Sequence, residues 1–228
     1  MDKDYPENTL AGAVFEIYVD VNANKLFDKG IDLLVGKMTE GENGIHTMEN
    51  LRYNGYFLYE ETAPEGFIKD DNYYYFEILE NGTVTIENEA GIGFINEAIK
   101  GSVKIIKKDT ESGNLISGVE FALYSSDGNE VSRGVTDENG ELIFENIRFG
   151  KYELREIKPK DGYLKNEEVI LVEITENEQV LTFEVTNEKI PTSPKTGDNS
   201  NIWLWTTIIL IAVIVLVGFS VYNRRNRR

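Results

Sequence analysis

Three stretches in the C-terminal half each carry an apolar face that ends in one polar side chain. Val103 and Ile105 lead to Lys107, Tyr152 and Leu154 lead to Glu156, and Leu181, Phe183 and Val185 lead to Asn187. Residues two apart point the same way in a strand. If these stretches are strands, an amine, a carboxyl and a carboxamide meet in one core. Burial there disfavours the charged forms, lowering the lysine pKa and raising that of the glutamate, so that a neutral amine and a neutral acid can coexist. The amine can then attack the Asn187 side-chain carbonyl. Glu156, as the catalytic residue, polarises that carbonyl and relays protons, and ammonia leaves. The product, a Lys107–Asn187 isopeptide bond, would close a loop of about 80 residues and, by analogy with disulfides, contribute roughly 4–5 kcal/mol less any strain. The competing reading of the same pattern is a lysine exposed at a strand end.

Little else in the chain could do chemistry. Cysteine is absent and His46 is the only histidine, so Ser-His and Cys-His nucleophilic sites have almost no material and a zinc site lacks its ligands. The formal net charge is −17, which argues against nucleic acid, whose phosphates need cations. Asp20-Val-Asn-Ala-Asn-Lys-Leu-Phe-Asp28 has oxygen side chains at alternating positions, as in a calcium loop. It carries Lys25 where such a loop has glycine at position six and Ile31 where it has glutamate at position twelve. The expectation is a polar hairpin loop, with no metal and no cofactor.

The elements that would position the reactive trio occur twice. Leu10–Tyr18 lines up with Ile116–Tyr124, Gly44–Leu51 with Gly140–Ile147, Tyr56–Phe67 with Tyr152–Tyr163, and Phe94–Asn96 with Val185–Asn187. Each unit alternates β-branched and aromatic residues between turn signals such as Asn81-Gly, Asp127-Gly, Asn139-Gly and Asp161-Gly. No helical period persists before residue 202. A unit of about 90 residues suits a sandwich of about seven strands.

The spacing Tyr-x-Leu-x-Glu-x-x-Ala-Pro-x-Gly-Tyr resembles the E-box of SpaA-type, prealbumin-like Cna protein B-type domains, the stalk modules of pilins and wall-anchored adhesins. The first unit keeps Tyr56, Leu58, Glu60, Ala63, Pro64 and Gly66, with Phe67 for the tyrosine. The second keeps Tyr152, Leu154, Glu156, Gly162 and Tyr163, with Pro159-Lys160 for Ala-Pro. The resemblance implies that Lys107 occupies the reactive position of the second unit. In the first unit Glu60 and Asn96 take the E-box and acceptor positions. Counting back from Leu10 puts the matching lysine position on Met1, with Lys3 out of register by two, so no cross-link is expected there. The opening strand of that unit, and any export signal, is expected upstream of Met1, since Met1–Pro6 has neither a basic region nor an apolar run.

Ile202–Tyr222 carries no charge and is long enough to cross a bilayer. Trp203 and Trp205 mark one interface, Tyr222 the other, and four arginines follow within the last six residues. Ahead of the span, Ser193-Pro194-Lys195-Thr196-Gly197 resembles a sortase sorting signal of the Leu-Pro-x-Thr-Gly type, with Ser for Leu as in a variant used by some class B sortases. That resemblance implies cleavage between Thr196 and Gly197 and transfer of the Thr196 carbonyl to a peptidoglycan amine.

The expected chain is therefore all-β. Two tandem Ig-like, prealbumin-like sandwiches cover residues 1–98, truncated at its N-terminus, and 99–189. A linker with the sorting motif covers 190–201, a transmembrane helix 202–222, and a basic cytoplasmic tail 223–228. The expected function is a structural stalk of a cell-wall-anchored surface protein or adhesin, not an enzyme. Its partners would be a sortase, peptidoglycan, the membrane before cleavage, and a host or matrix ligand bound by a missing N-terminal region. An accessory or basal pilin is the alternative, and a secreted enzyme fragment a weaker one.

Overall fold

The computed structural model describes residues 1–85 and 93–191. The sorting motif, the apolar span and the arginine tail lie outside these residues. Among the described residues no helix is long and apolar enough to cross a membrane. Residues 1–190 form one compact unit, and its described residues are all-β apart from a short 3-10 turn at Glu42–Gly44.

The first repeat contains β1 (Val14–Val19), β2 (Leu33–Lys37), β3 (Thr39–Glu40), β4 (His46–Thr47), β5 (Asn54–Thr62), β6 (Phe67–Ile68), β7 (Tyr73–Ile78) and β8 (Glu97–Ala98). Its main sheet runs β2-β1-β5-β7, all antiparallel. Alternation buries Phe15 and Ile17 from β1 with Tyr56 and Leu58 from β5. Met38, Met48 and Phe94 cover that layer.

The second repeat contains β9 (Lys100–Asp109), β10 (Glu120–Ser125), β11 (Glu130–Val135), β12 (Glu141–Arg148), β13 (Gly150–Lys158), β14 (Val169–Ile174) and β15 (Val180–Asn187). These seven strands make the expected sandwich. Antiparallel β11-β10-β13-β14 packs on β12-β9-β15, in which β9 and β15 run parallel. The burial of β9 alternates strictly along its ten residues. Val103 and Ile105 face Phe121, Leu123, Leu154 and Val172 across the core, with Val185 beside them on β15. Each such side chain contributes about 1.5–3 kcal/mol of burial, a reserve large enough to carry a few buried polar groups.

The two repeats place their left-handed residues at matching positions. Gly12 and Gly118, Gly44 and Gly140, Asn50 and Asn146, and Gly66 and Gly162 all have positive φ. The turn after the E-box strand also matches. Phe67 donates its amide to the Pro64 carbonyl and Tyr163 to that of Lys160, both over 3.1 Å. Exchanging proline for lysine therefore leaves the turn unchanged. The repeats differ at the strand that opens each unit. In the second it is the long β9, whereas in the first, among the described residues, a single bridge joins Asp2 to Asn96.

Candidate functional site

β9, β13 and β15 bring Lys107, Glu156 and Asn187 together in the core of the second repeat. Their residue exposures are 0%, 3% and 2%, so the reading of a strand-end lysine in solvent is excluded. β15 lies beside β9 with Val185 opposite Lys107 and Asn187 opposite Asp109. The lysine and asparagine are thus diagonal neighbours, a separation that a long side chain reaches. Lys107 Nζ lies 2.5 Å from Asn187 Oδ1 and 2.9 Å from Glu156 Oε2. Asn187 Nδ2 donates to Glu156 Oε1 over 2.8 Å. The single carboxyl therefore touches both the lysine nitrogen and the carboxamide nitrogen of Asn187.

The surroundings suit a neutral amine. Phe121, paired with Glu156 across β10 and β13, holds its ring centroid 5.6 Å from Lys107 Nζ. Desolvation lowers the Lys107 pKa, and the charge and hydrogen bonding of Glu156 oppose it only in part. Glu156 Oε2 receives no aligned hydrogen bond, so the ammonium beside it is in contact without a well-directed donation. A buried ion pair of this imperfect kind is costly to keep.

One further buried carboxylate, not singled out from the sequence, lies one step beyond Lys107 on β9. Asp109 follows Lys107 on the same face of β9 and is 2% exposed. It accepts hydrogen bonds from the Ser112 amide and hydroxyl and from the Tyr163 hydroxyl, and lies 3.2 Å from Lys189 Nζ. These contacts, the Ser112 amide foremost, hold its carboxyl far below the usual range. The parity that found Lys107 continues by one more step to Asp109, which was the available signal.

The first repeat holds two of the three groups. Asn96 Nδ2 donates to Glu60 Oε1 over 2.9 Å, and Glu60 Oε2 accepts the Asp70 amide over 2.8 Å. Both side chains are buried, at 3% for Glu60 and 5% for Asn96. Lys3 is elsewhere, exposed and 3.2 Å from Glu97. The register needs a correction. Asp2 sits opposite Asn96 as Asp109 sits opposite Asn187, and the Lys3 and Thr110 amides donate to the Asn96 and Asn187 carbonyls in turn. The position equivalent to Lys107 therefore precedes Met1 by one residue, and Lys3 is three positions out of register. The count from Leu10 failed because the intervening turn is longer here, closing from Asp2 to Asn8 rather than from Asp109 to Asn114. No side-chain amine from residues 1–3 enters the Glu60–Asn96 site.

The loop Asp20–Asp28 leaves β1 and returns toward β2 as a hydrogen-bonded loop. Among the described residues no three acidic or histidine side chains converge as a metal cluster.

Comparison with known proteins places this arrangement. The SpaA prealbumin-like fold domain matches residues 2–90 and again 101–189. Among solved structures, the Bacillus anthracis TIE protein is similar at 29% identity and a TM-score of 0.68, over 83% of this chain and 33% of that one. The chain thus spans a third of that protein's length. A C-terminal fragment of the pilus adhesin SpaC from Lactobacillus rhamnosus GG shares the fold at 14% identity and a TM-score of 0.53, over 85% of this chain and 96% of the fragment. No curated protein matches the sequence. The chain belongs to the SpaA prealbumin-like domain family, of which it carries two tandem copies.

Proposed function

We propose that this chain is a structural stalk of a Gram-positive surface protein, held in the second domain by a self-formed isopeptide bond and joined to the cell wall by a sortase. The contact of Lys107, Glu156 and Asn187 in a dry core carries the first part. The reaction balances within the trio. Nζ forms a bond to the Asn187 side-chain carbon, and that carbon's bond to Nδ2 breaks. A proton passes from Nζ to Nδ2 by way of Glu156, and ammonia leaves. Desolvation supplies the neutral nucleophile, and the two-sided position of Glu156 supplies the relay. The result is a neutral amide in place of a buried charge pair.

The anchoring part rests on sequence order: Ser193–Gly197, then Ile202–Tyr222, then the arginine tail. Pro194 favours an extended peptide that a sortase can grip, and the span holds it at the membrane face. Similarity to pilus and adhesin proteins supports a surface role, and the chemistry of the domains requires no external substrate. The test is fractionation of a host that carries a matching sortase. Wild-type protein should appear in purified wall, ending at Thr196 and joined to wall peptide. Thr196→Ala and Pro194→Ala should stay in the membrane fraction. Wall-bound protein that retains residues 198–228 would overturn the anchoring proposal.

A further inference from the structure

The loop between β1 and β2 carries polar groups that the stalk function does not use. Asp20 is 2% exposed. Its Oδ2 accepts the Lys25 amide over 2.9 Å from across the loop, which turns the carboxylate inward. Among the described residues its Oδ1 has no hydrogen-bond partner. A buried carboxylate oxygen without a donor costs more than most single defects, so the oxygen calls for a partner that the described residues do not supply. We propose that the partner is a calcium ion, held by Asp20 and Asp28 with the side chains of Asn22 and Asn24.

The donors are all oxygen, which selects a hard cation. Asn22 and Asn24 now donate their Nδ2 groups to Asp28 Oδ2, each over 2.8 Å. The two carboxamides and the Asp28 carboxylate thus already converge, with hydrogen-bond donors where a cation would sit. Turning each amide over replaces its nitrogen with an oxygen at little steric cost. Asp32 braces the loop rather than binding, since its two oxygens accept the Val21 and Asp28 amides. The site is therefore not a carboxylate cage, in keeping with the absence of a three-acid cluster among the described residues.

The missing glycine at position six is no obstacle. Lys25 adopts φ 63, as Ala23 does φ 59, so the backbone already makes the turn that a glycine would ease. Phe27 anchors the far side, stacked 3.6 Å from the Tyr73 ring. The missing glutamate at position twelve removes the usual bidentate ligand and places the affinity in the weak, extracellular range of roughly 0.1–1 mM. Magnesium, which demands six ligands in a tight octahedron, fits such a loop poorly.

The full chain, stripped of divalent ions by a chelator, is titrated with calcium chloride by calorimetry and by thermal melting. One calcium should bind per chain, and the melting temperature of the first domain should rise by several degrees as the ion saturates. Asp20→Asn keeps the shape of the side chain and removes its charge. It should raise the calcium-free melting temperature and weaken binding at least tenfold. If that variant fails to fold, Asp28→Asn, at a half-exposed position, should show the same tenfold loss with the calcium-free fold intact. An absence of heat and of any shift at about 10 mM calcium, well above the expected range, overturns the proposal. Binding undiminished in the folded variant, or an equal response to magnesium, overturns it as well.

Discussion

Among single residues, one lysine carries the proposed chemistry. Burial lowers the Lys107 pKa from its ordinary value of 10.5, so its neutral form appears at a lower pH than in a solvated lysine. The rate of cross-linking on refolding should therefore climb with pH and level off before 10.5 is reached. A rate that climbs only through that value would show an ordinary amine. The sign for stability follows from the same shift. In Asn187→Ala, which cannot react, the unfolded chain binds the Lys107 proton more tightly than the folded one. Stability should rise with pH between the lowered value and 10.5, as equilibrium denaturation would measure. The placement of these groups was legible because strand parity is rigid: one apolar face ending in Lys107 permits only one placement of the amine. Asp109 was not recognised because its partners, Ser112, Tyr163 and Lys189, converge only through turns and a tertiary bridge.

At the scale of elements, the backbone around Lys107 is clamped by a turn. The Lys107 amide donates to the Gly140 carbonyl, and the Ile116 amide donates to the Lys107 carbonyl. Gly140 has φ 67, and a Cβ there would lie 2.9 Å from the Lys107 carbonyl oxygen. Gly140→Ala should cost about 1–3 kcal/mol and slow cross-linking, read as a lower melting temperature and a longer half-time on refolding. Unchanged stability would mean that the turn gives way without moving β9. Strand existence and the repeat could be read from alternation and turn residues. The register of the opening segment in the first domain could not, because a turn one residue longer between Asp2 and Asn8 carries no mark in composition. The backbone conformation of the Asp20–Asp28 loop was hidden for a related reason. Glycine at position six was sought as a residue type, whereas the structure uses its backbone conformation at Lys25.

At the scale of the whole molecule, the two domains meet through a small set of charged and aromatic contacts. Arg148 of the second domain reaches Asp2 over 2.6 Å and Asp4 over 2.9 Å. Its guanidinium lies over the rings of Tyr5 and Phe67. Phe149 packs against Gly66, and the Ile99 amide donates to the Gly66 carbonyl. Arg148→Ala should remove about 2 kcal/mol of coupling, the scale of hydrogen bonds to charged groups. The first domain should then melt earlier while the second is unmoved. Joint melting of both domains in that variant would show that the junction does not depend on Arg148. In the proposed stalk, load would pass through this junction and through the parallel pair β9 and β15, which the proposed bond would staple across a span of 80 residues. The most direct test of that bond is the intact mass of the folded chain. That mass should fall short of the sequence by one ammonia. In Glu156→Ala that ammonia should be retained, with the second domain melting roughly 20 °C lower, as the loss of about 4–5 kcal/mol implies. A wild-type mass equal to that of the sequence would rule out the bond and leave Lys107 an ordinary buried lysine.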